Sequence, residues 1–410
     1  MKWAARRSSR INLDWRVMTE RRLRLGVAGL GKAFMLMLPG LARHPNIEII
    51  AAADPRAEAR TRFAADFAGP AYESVEELCA AAVEAVYVAT PHQFHAEHVR
   101  IAARHGKHVL VEKPMALSLE DCAAMIDAVT RAGVQMVIGH SHSFDAPIAR
   151  TRALSESGAY GALRMITAMN FTDFLYRPRR PEELDNKAGG GVVFNQAPHH
   201  VDVVRFLAGG RIKTVRAMTG AWDAARATEG AYSALLIFEN GVFASLVYSG
   251  YAHFDSDEFM DWTAESGLMK DPNRYGATRA ALRAASLGAD ERALKQTQNY
   301  GGEGAPPASD ARRRHQQFGP LIASCDAADL RPMPNGVAIY GDAERRFEPL
   351  PDPVVPRKEV LDEFCDAVFH GKTGLHNGRW GMATMEACLA ILESARTGRD
   401  IVLRHQVGVP

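Results

Sequence analysis

From Leu23 to Ile138 the chain alternates short, continuously apolar runs with longer amphipathic ones, and few folds accommodate that alternation. The apolar runs are Leu23–Ala28, Ile47–Ala53, Ala85–Ala89, Val109–Val111 and Val134–Ile138. They lack the period-2 polarity of a strand with one wet face. Helical stretches lie between them at Lys32–Arg43, Ala57–Phe67, Val75–Ala81, Gln93–His105 and Leu119–Ala132. Strands buried on both sides and joined by helices imply an α/β unit: a doubly wound, Rossmann-type parallel sheet covered on both faces. Ser74 and Ser118 stand where N-caps are needed.

The pattern changes after about residue 140. Arg164–Phe171, Val215–Thr219, Ala231–Phe238 and Val242–Tyr248 read as antiparallel strands, with a hairpin signal at Asn240-Gly241. Residues 262–320 are polar, with a helix expected over Ala277–Leu287 and a loose stretch at Gly301–Ala308, so they read as an insertion or lid. Val337–Leu350 resumes short strands, and Lys358–Phe369 and Trp380–Thr397 are amphipathic helices. The division expected is a tail over 1–20, a cofactor domain over 21–142, and an α+β domain with an open antiparallel sheet over 143–410. A broad sheet face without helices would be a large apolar patch, so a homodimer or homotetramer through that face is expected.

Length and charge agree. At 410 residues the chain exceeds what one core supports, and its 47% hydrophobic content is ample for two. A net charge of +1 suggests neither a nucleic-acid nor a membrane partner. The five cysteines (79, 122, 325, 365 and 388) are scattered without a CxxC pair, so neither disulfides nor a zinc knuckle is indicated, and a reducing cytoplasm is expected. Arg6, Arg7, Arg10 and Arg16 make the first residues basic, but no apolar region follows as in a secretory signal; Met18 reads as an alternative start.

Three motifs carry chemistry. Gly29-x-Gly31 opens the first strand-to-helix turn and matches two glycines of a dinucleotide fingerprint, the third position being Phe34. Asp54, ending the second strand, is placed to reach ribose hydroxyls; it favours NAD over NADP, while Arg56 beside it keeps NADP possible. With Lys32, Ala33 and Phe34 on the following helix, and Thr90, Pro91, His92, His95, Glu112 and Lys113 at later strand ends, these residues are the expected cofactor contacts. His92, His95 and His98 recur every three residues, which is poor spacing for one metal, and no metal site is expected.

Glu112-Lys113-Pro114 follows a strand, and a lysine there points into the crevice where α/β sheets bind ligands. It could stabilise negative charge developing on a substrate oxygen. Gly189-Gly190-Gly191 leads to Asn195 and His199, four apart and so expected on one helical face, with His199 suited to take a hydroxyl proton. The blander readings are a surface lysine and a buried structural histidine. Arg177, Arg179 and Arg180 precede this segment and could grip a carboxylate, or form a solvated basic loop.

Gly29-x-Gly31, Thr90-Pro91-x-x-x-His95, Glu112-Lys113-Pro114 and Gly189-Gly190-Gly191…His199-x-x-Asp202 together resemble the glucose–fructose oxidoreductase / inositol dehydrogenase (Gfo/Idh/MocA) family. The stretches 141–147, 170–185 and 248–257 are similar to its 4,5-dihydroxyphthalate (phthalate dihydrodiol) dehydrogenase branch. The resemblance implies an NAD(P)-dependent dehydrogenase with Lys113, position 195 and His199 around the reacting carbon. Asn195 stands where the family has Asp, so His199 is expected to be a weaker base. The expected substrate is a small anion, a carboxylated cyclic cis-dihydrodiol, touching His142, Arg177, Arg179, Arg180, Asn195 and His199. The alternatives are a sugar or polyol dehydrogenase, an NAD-dependent glycoside hydrolase, and a non-catalytic sensor.

Overall fold

A computed structural model describes residues 21–251, 253–286, 290–304 and 311–409. The expected tail lies outside them, as does much of the loose stretch after Gly301. Six short strands, β1 (Leu23–Ala28), β2 (Ile47–Ala53), β3 (Ala71–Tyr72), β4 (Ala85–Val88), β5 (His108–Val111) and β6 (Met136–Ile138), form a sheet in the order β3-β2-β1-β4-β5-β6. Every pairing is parallel. The apolar runs explain it: all of β4 is buried, as is nearly all of β1, because helices cover both faces. Ser74 accepts from the Glu77 amide in a full capping box, and Ser118 caps its helix through the Asp121 amide.

The second sheet has nine strands: β7 (Leu163–Phe171), β8 (Ile212–Gly220), β9 (Ala231–Phe238), β10 (Phe243–Ser249), β11 (Leu321–Cys325), β12 (Ala328–Met333), β13 (Gly336–Gly341), β14 (Arg345–Pro349) and β15 (Ile401–Val402). Their order is β14-β13-β12-β11-β7-β10-β9-β8-β15. Gly241, at φ +87°, turns the β9–β10 hairpin. The sheet is not wholly antiparallel as expected, because β7 and β10 run parallel at its centre. The chain leaves β7 through helices Gly191–Asn195 and Ala197–Ala208, enters near the far edge at β8 and meanders back to β10. A crossover of that length permits parallel pairing, and period-2 polarity is the same in either direction.

Helices Ala197–Ala208 and Gly378–Thr397 cover one face, where Val201, Val204 and Met385 share a core with Ile166, Leu236 and Leu246. One element crosses the expected division at residue 142. Helix Lys358–His370 comes from the second half of the chain, yet its Val360, Leu361 and Phe364 pack into the core of the first sheet with Leu25, Val27 and Tyr87. Its apolar stripe reads equally well against either domain. The following turn is also fastened there, the Ile138 amide donating to the His376 carbonyl at 2.7 Å.

Candidate functional site

Ligands of such sheets bind outside the carboxyl ends of the strands, and the glycine turn, Asp54, Thr90 and Lys113 follow the ends of β1, β2, β4 and β5. Gly29 adopts φ +94°, and a Cβ there would lie 2.8 Å from the Ala89 oxygen. At Gly31 a Cβ would meet nothing within 4 Å, so the backbone is open to a ligand at the amino end of helix Lys32–Leu41, where Lys32 and Ala33 begin the first turn. Asp54 is buried beside this turn and accepts from the Leu30 amide at 2.8 Å. Arg56 clamps the same carboxylate, Nε to Oδ1 at 3.0 Å and Nη2 to Oδ2 at 3.1 Å. The cradle therefore fits a dinucleotide: tight turn, helix N-terminus and an acid at the second strand.

Three residues expected at the cofactor do other work. The Phe34 ring is wholly buried, edge-on to Tyr300 with centroids 5.2 Å apart, so it fills the packing role of the missing third glycine. Both His95 ring nitrogens lie 2.9 Å from main-chain oxygens, of Pro114 and Thr90, pinning two strand-end loops together. Glu112 is buried and accepts from the Tyr87 hydroxyl at 2.5 Å, beneath the crevice. His92 remains at the edge beside Pro91. His98 bonds Thr90 Oγ1 at 2.9 Å, so His92, His95 and His98 do not converge.

A second cluster forms where Lys113 and His142 come together with His199 and other residues of the second half of the chain. Lys113 Nζ donates to the main-chain oxygen of Asn195 at 2.7 Å, and burial lowers its pKa. Asn195 and His199 are not on one helical face. The helix breaks at Gln196 (φ −120°, ψ −38°), and Pro198 in the next first turn has no N–H to carry the ladder across. The Asn195 side chain turns back on the glycine loop, its Nδ2 donating to the Gly191 oxygen at 2.7 Å and the Gly189 oxygen at 3.2 Å.

His199 is 4% exposed, and its Nδ1 has no hydrogen-bond partner among the described residues. Burial, then the charges of Lys113 and His142, push its pKa well below the ordinary value, so it is neutral and weakly basic. Its ring packs against His142 (4.7 Å between centroids) and Phe318 (4.8 Å). His142, 1% exposed, presents Nδ1 to Asp145 Oδ2 at 2.7 Å, and its Nε2 lies 3.6 Å from Glu265 Oε1. Burial alone would depress His142; the charges and contacts of Asp145 and Glu265 outweigh it and push the pKa up to about 9. His140 also faces Asp145, at 3.4 Å.

The three arginines differ. Arg180 faces Glu182 and Glu183, each at 3.3 Å. Arg179 is buried, lies 3.7 Å over the Phe174 ring and donates to the Phe174 oxygen. Arg177 is half-exposed, bonds Asp173 at 3.2 Å, and acts electrostatically on both Lys32 and Glu265. Arg179 acts electrostatically on Lys113, and Arg180 on His92. Glu265, Asp145 and Phe318 were not foreseen. Asp145 had a signal in its three-residue spacing from His142; Glu265 and Phe318, inside the polar insertion, had none.

Residues 23–140 match the profile of the oxidoreductase family with NAD-binding Rossmann fold, and residues 148–267 match the GFO/IDH/MocA C-terminal domain. The chain is 48% identical over 377 residues to the 1-carboxy-3-chloro-3,4-dihydroxycyclohexa-1,5-diene dehydrogenase of Comamonas testosteroni, covering 91% of this chain and 95% of that one. It superposes on the crystal structure of a putative dehydrogenase from Bordetella bronchiseptica RB50 with TM-score 0.87 and 43% identity, covering 93% and 100% of the two chains. The fold is shared with the WlbA dehydrogenase of Bordetella pertussis, crystallised with NADH and UDP-GlcNAcA, at TM-score 0.66 and 21% identity over 94% and 99%.

Proposed function

From the premise that this chain belongs to the Gfo/Idh/MocA family of NAD-binding oxidoreductases, we propose that it oxidises a carboxylated cyclic cis-dihydrodiol. The observation that carries this reading is the buried cluster in which His142 packs on the His199 ring at 4.7 Å and the charge of Lys113 acts on His199, with half-exposed Arg177 acting on the neighbouring Glu265. The name of the Comamonas relative, a dehydrogenase of a carboxylated dihydroxycyclohexadiene, supports the substrate class.

Gly29, Gly31 and Asp54 would hold the dinucleotide, whose nicotinamide would be the hydride acceptor. The protein supplies the rest. Lys113, fixed by the Asn195 carbonyl, presents an ammonium to the hydroxyl oxygen and stabilises it as negative charge develops. His199, neutral, accepts the hydrogen bond of that hydroxyl and then its proton. Its low basicity suits this substrate, because the ketone formed tautomerises to an aromatic ring and draws the reaction forward. Arg177 pairs with the ring carboxylate, and the buried walls exclude water.

The test is NAD reduction by the purified protein with carboxylated cis-dihydrodiols, inositols and aldoses in parallel. Turnover should be confined to the diols. His199→Ala and Lys113→Met should each lower it about 10²–10⁴-fold with NAD affinity unchanged. Arg177→Gln should chiefly raise KM, since it removes a contact made in ground and transition states alike. A preference for inositols or aldoses would sink the reading.

A further inference from the structure

The polar insertion reaches the dinucleotide cradle as well as the substrate cleft. Helix Glu291–Thr297 starts on the second half of the chain, where Glu291 accepts from both Nη atoms of Arg226 and from the Arg179 amide, each at 3.0 Å. The turn after the helix ends on the first domain. The Tyr300 ring is buried edge-on to Phe34, and its hydroxyl donates to Asp66 Oδ2 at 2.6 Å. Gly301, at φ +81°, lies so close to helix Ala57–Phe67 that a Cβ would be 2.9 Å from the Ala59 Cα. The segment is a strap seated at both ends.

The strap lands beside the ribose acid. The Tyr300 carbonyl accepts from Arg56 Nη1 at 3.4 Å. Nε and Nη2 of the same guanidinium hold Asp54, and Nη2 also holds the Leu30 oxygen at 2.8 Å. Four of the five N–H groups of Arg56 are thus committed. In a Rossmann domain an acid at the second strand binds the ribose hydroxyls, and an arginine nearby is what accommodates a 2′-phosphate. A forked grip on phosphate takes two donors, and Arg56 has one left.

We propose that Tyr300 is a specificity-determining residue for the dinucleotide: the strap holds Arg56 folded onto Asp54, so the insertion contributes to the choice of NAD together with Asp54. The inference rests on the reading of Asp54 as the ribose acid. With its guanidinium free, Arg56 would make the site ambivalent, the carboxylate repelling a 2′-phosphate and the cation attracting it. With the donors directed inward to Asp54, Leu30 and Tyr300, the repulsion is left. Tyr300 touches neither reacting atom and acts through Arg56, which makes it a positioning residue.

Titration of the full-length protein with NADH and with NADPH, which differ by that phosphate alone, reads the choice through nicotinamide fluorescence. A general loss of structure weakens both ligands alike, so the ratio of the two dissociation constants is the readout. Tyr300→Ala removes the ring and hydroxyl that seat the strap and should tighten NADPH relative to NADH about tenfold, the scale of one charge-assisted hydrogen bond. Gly301→Val puts a side chain against Ala59 at positive φ and should move the ratio in the same direction. Tyr300→Phe, which keeps the fold's buried ring and loses only the Asp66 bond, should move it less. In an Arg56→Ala background none of these changes should alter the ratio, because the guanidinium is the group released. A ratio indifferent to both Tyr300→Ala and Gly301→Val, or one that shifts equally without Arg56, would overturn the proposal. Asp54→Ala separates the two readings. A ratio moved by Asp54→Ala but not by the strap variants removes the strap's role alone, whereas tighter NADPH binding by the unaltered protein removes both.

Discussion

Lys113 Nζ is tied to the main-chain oxygen of Asn195 at 2.7 Å, so the ammonium's position depends on the turn after the glycine loop. That turn is in turn held by the Asn195 amide on the carbonyls of Gly191 and Gly189. Asn195→Asp replaces a donor by a carboxylate facing two carbonyl oxygens. It should cost about 1–3 kcal/mol of stability and lower kcat. Thermal melts and steady-state kinetics check this; an unchanged melting temperature would show that the amide does not hold the loop.

Arg56 and Asp54 form a closed pair beside the ribose position, with Arg56 also donating to the Leu30 oxygen at 2.8 Å. We propose that Asp54 favours NAD over NADP, since its carboxylate would repel a 2′-phosphate. Asp54→Ala should free the guanidinium for that phosphate and narrow or reverse the preference. Dissociation constants for both dinucleotides, before and after the change, decide it. Tighter NADP binding by the unaltered protein would reverse the roles given to the two residues.

Part of the insertion, helix Glu291–Thr297, is clasped to the segment before the glycine loop and to the connection between β8 and β9. Lys295 pairs with Glu183, and Glu291 with Arg226 at 3.0 Å. Burial opposes ionisation of Glu183, but Lys295, Arg179 and Arg180 outweigh it and hold its pKa at about 2. A depressed carboxyl pKa contributes stability above the unfolded value, about 4.5, and that contribution disappears as pH falls toward 2. Hydrogen exchange over residues 291–297 should therefore rise between these pH values. Glu183→Gln should raise it already at neutral pH and flatten the acid dependence.

Met218, Leu235, Phe243, Ile322 and Phe347 are exposed on the nine-stranded sheet. The register puts them on one face: Leu235 opposes Ser245, which pairs with Thr167, which pairs with Ile322. The other face carries the helices. We propose that a second copy of the chain covers the bare one. Light scattering should give a dimer or larger, and Leu235→Asp with Ile322→Lys should shift it toward monomer. A monomeric unaltered protein at micromolar concentration would exclude the interface.

The first sheet, the glycine turn, the two serine caps and the Asn240-Gly241 hairpin were legible because each depends on residues close in sequence. A strand buried on both faces is apolar throughout, and a turn needs its own glycine. The break at Gln196 was equally local; Pro198 announced it, and the four-residue spacing of Asn195 and His199 concealed it. Lys113 and His199 could be named from their place at strand and helix ends, but not their partners. Only the folded chain brings the Asn195 carbonyl to Lys113 across 82 positions, seats Glu265 beside His142, and sends helix Lys358–His370 back to the first sheet. A side chain's own segment specifies its burial and direction; what meets it there is decided by the packing of elements distant in sequence, whose apolar stripes fit more than one surface.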